Sequence, residues 1–114
     1  MEERRFLFQI VANAKNGVDV DKMDYLARDC KYLNMPFSYD ARRLIEFSRV
    51  IDGEICFHVK ESYNIYKLYQ TRYDLHKQVY QHRATKAIEY MITDALLAAD
   101  EKLDISGSIE NKER

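Results

Sequence analysis

The sequence has little glycine and proline and no tryptophan: 114 residues include 3 Gly and 1 Pro. So few turn-forming residues disfavour an all-β architecture, which needs many tight turns. No apolar run approaches the ~18 residues of a membrane-spanning helix, and the N-terminus lacks the apolar core of a secretory signal. We therefore expect no membrane partner. Cys30 and Cys56 are expected to be free thiols in a reduced, intracellular setting.

Positive and negative charges are nearly balanced, because the sequence contains 18 Lys and Arg and 19 Asp and Glu. A net charge of -1 excludes a globally basic nucleic-acid wrapper but leaves room for a local basic site. The hydrophobic fraction of 46% is too high for a chain disordered by composition. The length corresponds to one small domain at most, or to part of a larger one.

Apolar periodicity predicts a mostly α fold with one small β-hairpin. The first two helices are predicted over Glu2 to Lys15 and Val20 to Asn34, with Asp19 as the N-cap of the second. A short helix follows around Arg42 to Ser48, with Ser38 as its candidate N-cap. Two β-branched runs on either side of Asp52-Gly53 predict the hairpin.

No Gly or Pro occurs from Lys60 to about Lys102, which predicts one long helix or two, with a break near Ala84-Thr85. The following tail is polar and is expected to be loose from Ser106 onward. We therefore divide the chain into a core segment, residues 1–104, and a polar tail, residues 105–114.

Four chemically active side chains share one face of the second predicted helix. At about 100° per residue, they fall within an arc of ~100° opposite the apolar stripe. Two carboxylates, an ammonium and a phenol in one place could hold a metal and a phosphate. The alternative is a solvated face with i,i+4 ion pairs. The four are Asp21, Lys22, Tyr25 and Asp29.

The long helical region carries a second group of candidates. Arg72 falls on the predicted stripe between Leu68 and Leu75, where it either extends to solvent or meets an anion. Tyr69 begins a stripe of tyrosines that could stack on bases, or form a packing seam. Residues 60–90 carry six Lys or Arg and three Asp or Glu, so weak binding of single-stranded nucleic acid is a further hypothesis.

Six runs of the sequence are informative when they are taken together and in order: Asn16 to Cys30, Arg43 to Val50, Asn64-Ile65-Tyr66, Thr71-Arg72, Leu75 to His82 and Met91 to Ala95. Over roughly residues 5–104, these runs resemble the SAM-and-HD-domain deoxynucleoside triphosphate triphosphohydrolase family. The resemblance implies a partial helical HD-domain fold and cleavage of dNTPs to a deoxynucleoside and triphosphate, with a divalent metal (Fe, Mn, Zn or Mg) activating water.

The resemblance also implies roles for the residues of this chain. Asp21 corresponds to a metal-ligating aspartate, and Lys22 to a lysine that contacts phosphate. Tyr25 and Asp29 correspond to residues at the deoxyribose, where Tyr25 would exclude a 2′-hydroxyl. The remaining substrate contacts implied are Arg72 at the triphosphate and Tyr80 with Gln81 over the sugar and base.

The family also binds GTP and dNTP activators at sites that join subunits into a homotetramer. The residues of this chain that match those sites are Arg43, Phe47, Lys60 and Asn64, and His82 and Arg83 fall in the same region. His58 and Gln78 occupy positions where the family pattern has arginine, and Arg83 occupies a position where it has lysine. Because histidine cannot grip phosphate in the bidentate way arginine does, the choice of activator is left open.

The His and the His-Asp pair of the family's metal site have no counterpart in this sequence. Asp21 alone cannot hold a catalytic metal, so we expect a fragment that is inactive by itself, with no catalytic residue of its own. The alternative is a non-catalytic module that binds nucleotide or pairs with subunits of the enzyme. The family implies a nuclear or cytoplasmic location.

Overall fold

A computed structural model describes residues 5–110 and confirms a mostly α fold with one small hairpin. The chain divides into two compact units, the first ending at His76 and the second beginning at Lys77. The first unit holds α1 (Arg5–Val11), α2 (Val20–Tyr32), α3 (Ala41–Glu46), β1 (Ser48–Ile51), β2 (Glu54–Phe57), a 3-10 turn (Val59–Glu61) and α4 (Ser62–Leu75). A π turn (His76–Tyr80) spans the boundary, and α5 (Arg83–Leu103) and α6 (Ile105–Glu110) follow.

Helix α1 is shorter than predicted and ends at Val11 rather than Lys15. The buried side chain of Asn13 organises a loop there instead, donating from Nδ2 to the carbonyl oxygen of Val18 at 3.3 Å. The backbone N–H of Asn13 donates to Asp19 Oδ2 at 2.9 Å. The predicted start of this helix at Glu2 lies outside the described residues.

Helix α2 begins where the sequence predicts, with Asp19 as its N-cap. Asp19 Oδ1 accepts a hydrogen bond from the backbone N–H of Lys22 at 2.9 Å, as an N-cap carboxylate should. Met23, Leu26 and Cys30 form its buried face. Burial raises the pKa of the Cys30 thiol, which agrees with an inert, packed cysteine rather than a reactive one.

The hairpin is confirmed, and the short helix before it begins with a different cap. Asp40, not Ser38, caps α3, because its Oδ1 accepts from the backbone N–H of Arg43 at 3.1 Å. Strands β1 and β2 pair antiparallel, with Ile51 opposite Glu54. The turn between them has positive φ at both Asp52 (50°) and Gly53 (75°), as a two-residue type I′ turn requires.

The core of the first unit lies where α4 packs against α2. Leu68, Thr71 and Leu75 are the buried residues of α4, and they follow the i, i+3, i+7 spacing of one helix face. The prediction that Arg72 lies on this stripe is wrong: Arg72 is exposed, and Thr71 takes the core position. Thr71 satisfies its hydroxyl by donating to the carbonyl oxygen of Lys67 at 2.9 Å.

The second unit contains the predicted break, a few residues earlier than expected. The chain leaves helical geometry at Gln81-His82, and His82 caps α5 by accepting from the backbone N–H of Ala84 at 3.2 Å. No helix in the described part of the chain is long and apolar enough to cross a membrane. The tail does not begin as a loose segment, since α6 runs from Ile105 to Glu110. Residues 111–114 lie outside the described residues.

Candidate functional site

The four candidates on α2 lie on the side of the helix away from its buried face. Asp21 is exposed in the first turn, where the helix dipole favours an anion. Lys22, Tyr25 and Asp29 are half-buried. The four side chains lie along one α-helix, and the two carboxylates, Asp21 and Asp29, are separated by about two turns.

Lys22 is already engaged in the protein itself. Its ammonium group donates to the carbonyl oxygen of Gly17 and lies 5.4 Å from the centroid of the Tyr69 ring. The Tyr69 hydroxyl in turn donates to the carbonyl oxygen of Asn16. The loop before α2 is thus clamped by one side chain from α2 and one from α4. A phosphate would meet a lysine whose position is fixed in advance.

Arg72 adds a second positive charge near the same phenol. Burial and the carboxylate of Asp19 raise the pKa of Tyr69, while the charge of Arg72 opposes that rise. Arg72 and Lys22 therefore both lie within electrostatic reach of Tyr69. The resemblance assigns both cations to phosphate binding, and they belong to different helices, α2 and α4.

A cavity of about 230 Å³, which we call the Arg43 cavity, is lined by three of the six predicted activator residues, Arg43, Lys60 and Asn64. It opens where α3, the 3-10 turn and the start of α4 meet. Phe47 lies beside it, with the Arg43 guanidinium carbon 5.3 Å from its ring centroid. The lining residues are Ser38, Asp40, Arg43, Lys60, Glu61, Tyr63, Asn64 and Lys67.

Two of the predicted activator residues are held by hydrogen bonds within the protein. Asn64 accepts from the backbone N–H of Asp40 at 2.7 Å and donates to its carbonyl oxygen at 2.9 Å. Arg43 pairs with the buried carboxylate of Glu61, which also accepts from Asn64 Nδ2 at 3.0 Å. The hydrogen bonds and charge of Arg43, together with Asn64, hold the pKa of Glu61 below its ordinary value despite burial.

His58, which replaces an expected arginine, has a structural role. Its ring meets that of Phe47 edge-on at 6.4 Å between centroids. Its Nδ1 accepts from the backbone N–H of Lys60 at 3.1 Å and so caps the 3-10 turn. This histidine therefore fixes the backbone of Lys60.

The other predicted site residues belong to the second unit. Tyr80 ends the π turn and is half-buried, and Gln81 follows it at the break before α5. His82 caps α5, and Arg83 is its first residue. The roles of these four residues at nucleotide sites stay predictions.

A metal site is not complete in this part of the protein. Among residues 5–110, no three His, Cys, Asp or Glu side chains are grouped closely enough to hold a metal ion. Asp21 could supply one ligand, but several are needed. The residues present do not by themselves fit a catalytic metal.

Four residues that shape these sites were not predicted to be functional. Tyr69 was interpreted as the start of a tyrosine stripe that either stacks on bases or forms a packing seam, and its contact with the lysine of α2 was not predicted. Glu61, Tyr63 and Lys67 gave no signal, because a buried glutamate and its neighbours around a cavity have no periodic pattern in sequence. Only the tertiary contacts identify them.

The helical fold with its hairpin agrees with the expected class, a partial HD-domain fold. No family model matches the chain. Among known proteins, it is 54% identical over 110 residues to the "Deoxynucleoside triphosphate triphosphohydrolase SAMHD1 homolog" of Dictyostelium discoideum, covering 96% of this chain and 21% of that protein.

Two further relatives extend the comparison. The human "Deoxynucleoside triphosphate triphosphohydrolase SAMHD1" is 45% identical over 99% of this chain and 19% of its own length. A "Putative HD domain-containing protein" of Acanthamoeba polyphaga mimivirus is 39% identical over 95% of this chain and 24% of its own length. The resemblance to this family is confirmed, and the chain spans about a fifth of the length of these relatives.

Proposed function

We propose that this chain forms part of a dNTP triphosphohydrolase, contributing one wall of the substrate site and part of a nucleotide activator site. The similarity to the Dictyostelium protein along nearly the whole chain carries the proposal. The reaction would release inorganic triphosphate and a deoxynucleoside from a dNTP. GTP and dNTPs would act as activators, and the complete protein would assemble as a homotetramer.

The geometry of α2 and α4 supports the substrate role. Lys22 lies over the Tyr69 ring, and Arg72 follows Tyr69 by three residues on α4. Two positive charges on these helices suit a triphosphate with several negative charges. The clamp on Lys22 fixes its ammonium before any ligand arrives, so less freedom is lost on binding. Tyr25 and Asp29 lie along the same helix as Lys22, and we assign them to the sugar. For Tyr80 and Gln81 of the second unit we propose contacts to sugar and base in the complete protein.

The Arg43 cavity supports the activator role. It combines cations with an amide and lies beside Phe47, whose ring could pack against a base. We assign Arg43, Phe47, Lys60 and Asn64 to this site. His82 and Arg83 belong to the second unit, and for them we propose a separate part in activator binding within the assembled protein. Because Asn64 and Arg43 are already bonded to Asp40 and Glu61, they would present a preformed surface.

The proposal also includes a divalent metal ion, for which this chain would supply a single ligand. Asp21 would provide one ligand to a divalent ion whose other ligands lie outside this chain. When bound, such an ion would activate the attacking water. The residues described here bind and orient the nucleotide, and none of them is assigned a catalytic step.

A segment exchange tests the proposed function. This chain would replace the matching 110 residues of the Dictyostelium relative, and release of triphosphate from dGTP would be measured with GTP and a divalent metal present. We expect the chimera to be active and Asp21→Ala to abolish release. Asp24→Ala is the matched control, because Asp24 is exposed on the same helix and pairs only with Arg28 at 3.2 Å.

The alternative makes a different prediction in the same assay. A folded chimera that binds GTP but releases no triphosphate, while the unaltered relative does, would show a non-catalytic nucleotide-binding module. Binding of a single-stranded oligonucleotide in place of GTP would favour nucleic-acid recognition instead. Activity retained by Asp21→Ala would contradict the assignment of that residue.

A further inference from the structure

The Arg43 cavity contains a cation that none of the assignments above includes. Lys67 lines the cavity from α4 and is half-buried. Its ammonium nitrogen lies 4.8 Å from the centroid of the Tyr63 ring, within the range of a cation–π contact. Tyr63 in turn stacks on Tyr66, with 6.2 Å between centroids and 9° between planes. The ammonium is therefore held at the cavity by an ordered aromatic pair.

The charged residues that line the cavity leave a net positive charge of one, because Arg43, Lys60 and Lys67 face Asp40 and Glu61. The charge of Arg43 is matched by the buried carboxylate of Glu61. The carboxylate of Asp40 is directed to the N-terminus of α3, where it accepts from the backbone of Arg43. Lys60 and Lys67 form no salt bridge with any residue that the structure describes. Such a pair of cations favours a ligand with more than one negative charge.

The size of the cavity indicates which part of a ligand it takes. Sites for whole small molecules usually measure about 300–1,000 Å³, and this cavity measures about 230 Å³. A chain of phosphates fits this space better than an entire nucleotide does. The aromatic surface of Phe47 lies next to it, where a base could extend beyond the cavity.

We propose that Lys67, held in place by Tyr63, binds the phosphate chain of a nucleoside polyphosphate together with Lys60. This inference rests on the proposed activator role of the cavity and adds to it a cation and its positioning residue. Lys67 contacts the phosphates directly. Tyr63 acts only through Lys67, by keeping the ammonium directed at the cavity.

Equilibrium binding of inorganic triphosphate and of GTP to the chimera, in which this chain replaces the matching segment of the Dictyostelium relative, tests this inference. We expect Lys67→Gln to weaken both by about threefold to tenfold, the range for one partly exposed charged contact. Lys31→Gln is the matched control, because it removes the same charge from an exposed position on α2. It should change affinity less than twofold, about the effect of one distant charge in 0.15 M salt.

The positioning role of Tyr63 is tested separately, by the binding affinity of variants at this residue. Tyr63→Phe keeps the ring and should bind as the unaltered chain does, whereas Tyr63→Leu should weaken binding. The double variant Tyr63→Leu with Lys67→Gln should be no weaker than Lys67→Gln alone, because the tyrosine acts through the lysine. Circular dichroism would show that each variant retains its helices.

The outcomes separate this inference from the proposed function. If Lys60→Gln weakens binding but Lys67→Gln behaves like Lys31→Gln, the role of Lys67 is refuted and the activator cavity stands. If the folded chimera shows no saturable binding of triphosphate or GTP while the unaltered relative does, both are refuted. Equal losses in Tyr63→Phe and Tyr63→Leu would contradict the positioning role.

Discussion

Asp19 shows how one side chain can organise both a loop and a helix. One of its carboxylate oxygens caps α2 by accepting from Lys22, and the other accepts from the backbone of Asn13, each at 2.9 Å. The loop that holds the Lys22 ammonium is therefore fixed at both ends. The cap was predictable from sequence, because aspartate before an apolar periodic run is a common helix start. The bond to Asn13 was not.

Replacing Asp19 should destabilise the first unit. We expect Asp19→Ala to lower the free energy of unfolding by about 2 kcal/mol, since an N-cap contributes about 1 kcal/mol and the N–H of Asn13 loses its partner. Asp19→Asn keeps one acceptor oxygen and should cost about half as much. Urea unfolding followed by circular dichroism measures both. Equal stability of all three proteins would contradict this account.

Glu61 should make stability depend on pH in the acid range. Its pKa is lowered in the folded protein, so its stabilising effect is complete above the unfolded value of about 4.3 and is lost as pH falls through the folded value. We expect Glu61→Gln to be less stable at pH 7 and to lose less stability between pH 5 and pH 3. Urea midpoints across that range measure the difference. Glu46→Gln is the control, because Glu46 also pairs with an arginine, Arg42, but is exposed.

At the scale of elements, the hairpin depends on a turn that glycine suits. Gly53 has φ of 75°, in the region that side chains rarely adopt. We expect Gly53→Ala to cost about 1 kcal/mol, while Gly53→Asn should cost less because asparagine tolerates this region. The free energy of unfolding measures both. A gain in stability for Gly53→Ala would mean that the turn does not form as described.

The helices differ from their predicted bounds for reasons that local sequence does not contain. Apolar spacing predicted α1 to Lys15, yet the buried Asn13 ends it by bonding across the loop to Val18. The break before α5 comes at His82 because that ring accepts from Ala84. Periodicity identifies a helical region, but polar side chains at its ends decide where it begins and stops.

At the scale of the whole molecule, α5 presents an extensive apolar surface. Ile88, Met91, Ile92 and Leu96 are each more than half exposed, which is unusual for a protein stable by itself. We expect the purified chain to associate as its concentration rises. Sedimentation velocity at several concentrations measures this. Ile92→Lys with Leu96→Lys should reduce association, and a chain that stays monomeric without these changes would contradict the expectation.

The sequence by itself determined the helical class, the hairpin and the face of α2 that carries Asp21, Lys22, Tyr25 and Asp29. These follow from periodicity and turn chemistry, which act between near neighbours. Only the tertiary structure decided that Arg72 points to solvent while Thr71 packs, and that Tyr69 clamps Lys22. Only it joined Arg43, Glu61 and Asn64 around one cavity, because such contacts depend on how distant helices pack and no local pattern encodes them.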